Sequence, residues 1–170
     1  MSRAFVKDDA PDGHVVIPPR PALPPGVANY VTPRGLRLLR EELARLEAER
    51  GKLAAGPRDS ADRSRELAVL KGRITQLEAR IASARLVDPA SQPAAEVRFG
   101  ATVTLETQGL PRRVMTIVGV DEANPTDARI SFLAPVAKRL TGKKTGDGVR
   151  MPAPGGEREF TVAEIHYAAD

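Results

Sequence analysis

Two aspartates, Asp59 and Asp62, stand three positions apart just after a Gly56-Pro57 pair. At the start of a helix this spacing puts both carboxylates on one side, within reach of one hard cation such as Mg²⁺. Two carboxylates alone make a weak magnesium site, so they favour an ion shared with other ligands. Helix capping is an alternative reason for acidic residues at these positions. Asp59 or Ser60 is a good N-cap, and the helix dipole favours Asp62 in the first turn.

Two long helices are predicted on either side of these acids. Thr32 is a good N-cap and Pro33 is favoured at the first helical position, while Gly56-Pro57 ends a helix. Each helix on its own would expose a row of leucines to water. We therefore expect the two helices to pack as an antiparallel coiled-coil hairpin with residues 56–62 at its far end. The apolar positions in heptad-like steps are Leu36, Leu39, Leu43, Leu46 and Leu53, then Leu67, Leu70, Ile74, Leu77, Ile81 and Ala84.

The second half of the chain changes to an alternating pattern of apolar and polar residues, which is typical of strands. A short helix is predicted at 135–140 and a turn at 152–156. The chain is therefore expected to have an α+β fold, with the helical hairpin followed by a mostly antiparallel sheet. The predicted strands are Val97–Phe99, Ala101–Leu105, Val114–Val120, Ile130–Phe132, Val149–Met151 and Phe160–Tyr167.

These patterns divide the chain into four segments. Six prolines in residues 1–30 predict a disordered or polyproline-like tail over 1–31, because proline lacks the amide donor that helices and central strands need. The hairpin is expected over 32–87, a linker over 88–96 and the sheet domain over 97–170.

Composition narrows the classes of protein. The chain has no cysteine, no apolar run long enough to cross a membrane and no signal peptide at its start, so we expect a cytoplasmic protein without disulfides or thiolate metal sites. The net charge of +4 is uneven. Residues 33–86 carry 13 Lys and Arg against 8 Asp and Glu, an excess compatible with nearby nucleic acid or with an ordinary solvated helix face.

Short runs in both halves resemble the GreA/GreB family of transcription elongation factors. Together the runs cover about residues 30–167, and their order and spacing carry the resemblance more than any single run. They are Tyr30-Val31-Thr32-Pro33-Arg34-Gly35-Leu36, Gly72-Arg73-Ile74, Phe99-Gly100-Ala101-Thr102-Val103, Ile117-Val118-Gly119-Val120-Asp121-Glu122-Ala123, Ala134-Pro135-Val136-Ala137, Leu140-Thr141-Gly142-Lys143-Lys144 and Pro154-Gly155-Gly156.

The resemblance implies an FKBP-like C-terminal domain that docks at the rim of the RNA polymerase secondary channel, with the hairpin inside the channel. It implies that Asp59 and Asp62 help to hold a second Mg²⁺ of the polymerase, which activates water to cut backtracked RNA. On this basis the protein is not itself an enzyme and has no cofactor of its own. Its partners are the polymerase, the RNA 3′ end and the DNA-bound elongation complex, and it is expected to be a monomer. The loop residues expected at the polymerase are Ser131, Ala134, Pro135 and Val136.

Three arginines flank the predicted tip, Arg58, Arg63 and Arg65. They are candidates for contacts with RNA phosphates, and ordinary surface charge explains them equally well.

The sequence also departs from the family pattern. The second tip acid is Asp62 where the family has Glu, and Ala134 stands where the family usually has Ser. We expect each hairpin arm to be about a heptad shorter than in a full-length Gre factor, a loss of about 10 Å. A second alignment puts Asp62-Arg63-Ser64 at the tip. Two other functions therefore stay open: a channel-binding regulator without cleavage activity, and a general protein-interaction module with an FKBP-like fold.

Overall fold

The computed structural model describes residues 15–56 and 60–168. Two long helices, α1 Pro33–Ala55 and α2 Ala61–Ala82, come first, and a five-stranded sheet makes up most of the second half. The architecture is α+β, as the sequence predicts. None of the helices in these two ranges is long and apolar enough to cross a membrane.

The two helices pack side by side through their leucine faces. Leu39 and Leu46 of α1 are buried against Leu70, Ile74 and Leu77 of α2. At the far end, Arg63 Nη2 of α2 donates to the carbonyl oxygen of Ala54 in α1. The predicted start of α1 is confirmed, because the side chain of Thr32 accepts a hydrogen bond from the amide of Gly35.

A short two-stranded sheet closes the other end of the helix pair. β1 Asn29–Val31 precedes α1 and pairs in parallel with β2 Ala84–Leu86, which follows α2. The amide of Val87 continues the pairing by donating to the carbonyl oxygen of Val31. The helices therefore run antiparallel, with their chain ends held together at this base.

The main sheet has the strand order β5-β4-β3-β7-β6. Its neighbours are antiparallel except β4 and β5, which run in parallel. A short helix, α3 Pro135–Leu140, places Ala137 and Leu140 in a core that includes Leu105 and Phe160. The strands are β3 Thr102–Glu106, β4 Arg113–Val118, β5 Arg129–Ser131, β6 Gly148–Ala153 and β7 Gly156–His166.

The predicted strand at Val97–Phe99 is wrong. Val97 is fully buried, but its amide donates to Lys143 and its carbonyl oxygen accepts from Gly142, both in the loop after α3. An apolar residue in a buried loop has the same sequence signature as one in a strand, and here a loop satisfies its backbone.

Of the predicted disordered or polyproline-like tail, residues 1–14 lie outside the described residues, and residues 29–31 form β1. Ile17 packs against α2 at Gly72, and Arg20 forms ion pairs with two other parts of the chain. Proline residues suit such a segment, because an extended chain lying on another surface needs few amide donors. The predicted division at residues 88–96 stays a prediction.

Candidate functional site

The far end of the helix pair, residues 56–65, is the first candidate site. α1 ends at Gly56, and Ser60 is the N-cap of α2, since its Oγ accepts a hydrogen bond from the amide of Arg63 at 3.2 Å. Asp59 and Arg58 lie outside the described residues. The predicted pairing of Asp59 with Asp62 therefore remains a prediction.

Asp62 lies in the first turn of α2, and its side chain is 87% exposed. Its contact with Arg65 is an exposed pair at 3.7 Å, of a kind that contributes little to stability. The positive end of the helix dipole favours a carboxylate at this position. Because its side chain faces solvent, Asp62 is accessible to a cation or a partner group.

The two described arginines of this end differ in their surroundings. Arg63 is half-buried, and its Nη2 donates to the carbonyl oxygen of Ala54 at 2.8 Å. That bond satisfies a carbonyl at the end of α1, so Arg63 joins the two helices. Arg65 is exposed and carries only the weak contact with Asp62. Of the two, Arg65 is better placed for the predicted contact with RNA.

The loop between β5 and α3 brings the four residues predicted to bind polymerase into one turn. Ser131 accepts from the amide of Leu133 through Oγ and from the amide of Ala134 through its carbonyl oxygen. Ala134 and Val136 pack partly against the core of the sheet, whereas Pro135 is exposed. Ala134 is the N-cap of α3 and offers no side-chain hydrogen bond. Pro135 is therefore the side chain of this loop that is most available to a partner.

A buried polar cluster, absent from the sequence-based site, joins the helix pair to the sheet domain. The carboxylate of Glu122, with 1% of its side chain exposed, accepts from Thr32 Oγ1 at 2.6 Å and from Arg129 Nη1 at 2.7 Å. Gly35 lies so close that a Cβ there would be 2.8 Å from Glu122 Oε2. The sequence identifies Thr32 only as a helix cap, and 90 positions separate it from Glu122.

Three aromatic rings lie beside this cluster. Tyr30, Phe99 and Phe132 contact one another with ring centroids 5.8 Å apart in each pair. Gly119 allows the backbone of β1 to come close, because a Cβ at Gly119 would be 2.6 Å from the carbonyl oxygen of Tyr30. The base of the helix pair is therefore packed directly onto the sheet domain.

Tyr167 ties the segment before the sheet to the end of β7. Its hydroxyl donates to the carbonyl oxygen of Glu96 at 2.6 Å and accepts from the amide of Arg98 at 2.8 Å. Burial raises the pKa of the Tyr167 phenol above its usual value. The hydroxyl is thus a neutral bridge between the two segments.

Within residues 15–56 and 60–168, no group of three or more His, Asp or Glu side chains is arranged to hold a metal ion. Asp62 with Asp59 would supply two oxygen ligands of the kind that Mg²⁺ prefers. These acids fit a metal only as part of a larger ligand set.

The fold and the candidate site define a two-part protein, in which a helix pair with a charged end stands on a small sheet domain. A family model described as transcription elongation factor, GreA/GreB, C-terminal, matches residues 92–167. Transcription elongation factor GreA of Alkalilimnicola ehrlichii is 36% identical over 81% of this chain and 97% of its own length. GreA of Halorhodospira halophila is 37% identical over 81% of this chain and 96% of its own.

The chain therefore belongs to the GreA/GreB family of transcription elongation factors. A solved structure, a transcription elongation factor GreA/GreB from Nitrosomonas europaea, is 26% identical and covers 81% of this chain and 98% of its own. Its TM-score is 0.41, so family membership depends on the sequence similarity.

Proposed function

We propose that this protein binds RNA polymerase during elongation, enters the secondary channel with its helix pair and stimulates cleavage of backtracked RNA. The observation that carries the proposal is Asp62, a solvent-facing carboxylate at the far end of a helix pair whose base is packed on a separate domain. A carboxylate placed in this way can enter another protein's active site while the rest of the molecule stays outside.

The finer description of the two parts belongs to the same proposal. The helix pair is a coiled-coil hairpin, supported by the heptad-like spacing of Leu39, Leu46, Leu70 and Leu77 in its buried seam. The C-terminal part is an FKBP-like domain, supported by a five-stranded sheet that packs against the short helix α3.

Docking is assigned to the turn of residues 131–136. Pro135 is exposed at its outer end, while Ala134 and Val136 pack against the core and hold the turn in one conformation. A rigid turn loses little conformational entropy on binding, which supports its use as a contact with the polymerase rim.

The chemistry proposed for the far end needs two carboxylates. Asp59 and Asp62 would complete the ligand set of a Mg²⁺ in the polymerase active site, where the ion activates water for hydrolysis. Arg65 would contact the RNA backbone, since guanidinium groups bind phosphate well. The reaction belongs to the polymerase, and this chain supplies ligands and positive charge.

The test is cleavage of RNA by stalled, backtracked polymerase with D59N/D62N. We expect the double variant to lose stimulation by about tenfold or more, because an amide is a poor ligand for Mg²⁺. E66Q is the matched control, since Glu66 is exposed on the same helix just after the site. Equal cleavage by wild type and D59N/D62N, or none by wild type across a range of Mg²⁺ concentrations, would contradict the proposal.

A second function is favoured by the length of the helices. α1 has 23 residues and α2 has 22, so the pair extends about 34 Å at 1.5 Å per residue. If this length leaves the acids short of the metal, the protein occupies the channel and blocks it without cleavage. It would then compete with a longer Gre factor for polymerase while adding no cleavage of its own. Binding to polymerase without any such competition would exclude this alternative.

A further inference from the structure

Residues 17–28, here called the strap, lie along the helix pair before the chain enters β1. At one end Ile17 contacts α2 at Gly72. Further along, the carbonyl oxygen of Pro21 accepts a hydrogen bond from Arg80 near the end of α2. A turn at Pro24–Val27, with Gly26 at φ 79°, then leads the chain into β1.

Arg20 is the residue of the strap that contacts both parts of the molecule. Its Nη1 and Nη2 donate to the two carboxylate oxygens of Glu42 on α1, both at 3.0 Å. Its Nε and Nη2 also donate to Oδ1 of Asp121, at 3.2 and 2.9 Å. The planar guanidinium thus binds one carboxylate of the helix pair and one of the sheet domain at the same time.

The surroundings make these contacts stronger than ordinary surface pairs. The side chain of Arg20 is 18% exposed and that of Asp121 is 6% exposed, so solvent screens their attraction little. Arg80 of α2 lies 3.4 Å from Oδ2 of Asp121. The pKa of Glu42 is lowered, chiefly by its hydrogen bonds with Arg20.

The strap precedes residues 92–167, the part of the chain that the family model matches. The relative from Alkalilimnicola ehrlichii is matched over 97% of its length by 81% of this chain, and the family model reaches residue 167.

We propose that the strap fixes the angle between the α1–α2 pair and the sheet domain, with Arg20 as its clamp. Thr32, Tyr30 and Glu122 join the two parts near the start of α1, and Arg80 joins the end of α2 to Asp121. Both junctions lie at the base of the helix pair and leave rotation about that base possible. Arg20 adds a junction at Glu42, farther along α1, and so restricts this rotation.

The absence of cysteine allows a direct test, because two introduced cysteines can be spin-labelled specifically. Ala48→Cys in α1 and Glu164→Cys in β7 are both exposed and report the distance between the two parts. In this background we expect one narrow distance peak. R20A, or deletion of residues 1–28, should roughly double its width or add a second peak, as expected when one state becomes several.

R85A is the matched control, since Arg85 is an exposed arginine in β2 and should leave the distance peak unchanged. R20K keeps the charge without the planar fork and should give an intermediate width. Far-UV circular dichroism establishes that each variant is folded. If the deletion variant does not fold, the peak widths of R20A and R20K are the test. An unchanged distance peak in folded R20A would overturn the proposal, because the contacts of Glu122 and the pair of Arg80 with Asp121 would then hold the angle without Arg20.

Discussion

At the scale of single residues, Glu122 illustrates what sequence patterns cannot supply. Its carboxylate is buried between Thr32 and Arg129, which come from different parts of the chain. A pattern along the sequence predicts helix caps and periodic faces, and it identifies Thr32 as a cap. The pairing of positions 32 and 122 depends on how the two parts pack, so local sequence does not contain it.

E122A should destabilise the protein by about 2–3 kcal/mol, because it leaves the guanidinium of Arg129 and the hydroxyl of Thr32 without their buried acceptor. Urea unfolding at neutral pH measures the effect. E164A, an exposed glutamate of β7, is the control and should change the free energy of unfolding little. Equal midpoints for the two variants would contradict the role assigned to Glu122.

The pair of Glu42 and Arg20 should make stability depend on pH. The hydrogen bonds from Arg20 lower the pKa of Glu42 below its ordinary 4.5, so folding favours the charged carboxylate. The contribution is therefore present above about pH 4.5 and is lost as the pH falls through the lower, folded-state pKa. We expect wild type to be more stable than E42Q at neutral pH and the difference to shrink in acid. A difference in the free energy of unfolding between wild type and E42Q that grows as the pH falls would contradict this prediction.

At the scale of elements, the long helices were predictable and the shortest strands were not. Thr32, Pro33 and Gly56 mark the ends of α1 with side-chain and backbone chemistry that is local in sequence. β1 and β2 have three residues each, too few for an alternating pattern, and they form because α1 and α2 bring them together. Val97 shows the opposite case, an apolar signal that belongs to a buried loop.

G119A tests the close approach of β1 to the sheet domain. The added Cβ would lie 2.6 Å from the backbone oxygen of Tyr30, which has no flexible side chain to yield. We expect a loss of about 1–3 kcal/mol in thermal or urea unfolding. G51A is the matched control, because Gly51 lies in α1 with open space around it and should gain about 1 kcal/mol from better helix propensity. The same change for both variants would contradict the packing described here.

At the scale of the whole molecule, the sequence predicts two parts but not how the strap, residues 17–28, lies on them. Prolines between residues 18 and 25 indicate an extended segment, and an extended segment can be free or bound. Which of the two occurs depends on Arg20 meeting Glu42 and Asp121. At the far end, Asp62 and Arg65 are exposed and Arg63 contacts α1, while the roles of these residues toward a metal and RNA stay predictions.

The reach of the helix pair can be tested by lengthening it. Insertion of one heptad into each arm keeps the apolar seam in register and adds about 10 Å. If the native length limits cleavage of backtracked RNA, the longer protein should stimulate it more, and the same insertion in the D59N/D62N background should not. Unchanged or weaker cleavage by the longer protein would mean that the native length already suits the channel.

The hydroxyl of Thr32 takes part in two bonds at once, accepting from the amide of Gly35 and donating to the carboxylate of Glu122. Any movement that parts the helix pair from the sheet domain also removes the group that orients this hydroxyl toward the first turn of α1. Hinge opening and fraying of the first turn are therefore linked through one atom. The bond therefore resists small changes in the angle between the helix pair and the sheet domain. When the two parts do separate, the first turn of α1 becomes less stable.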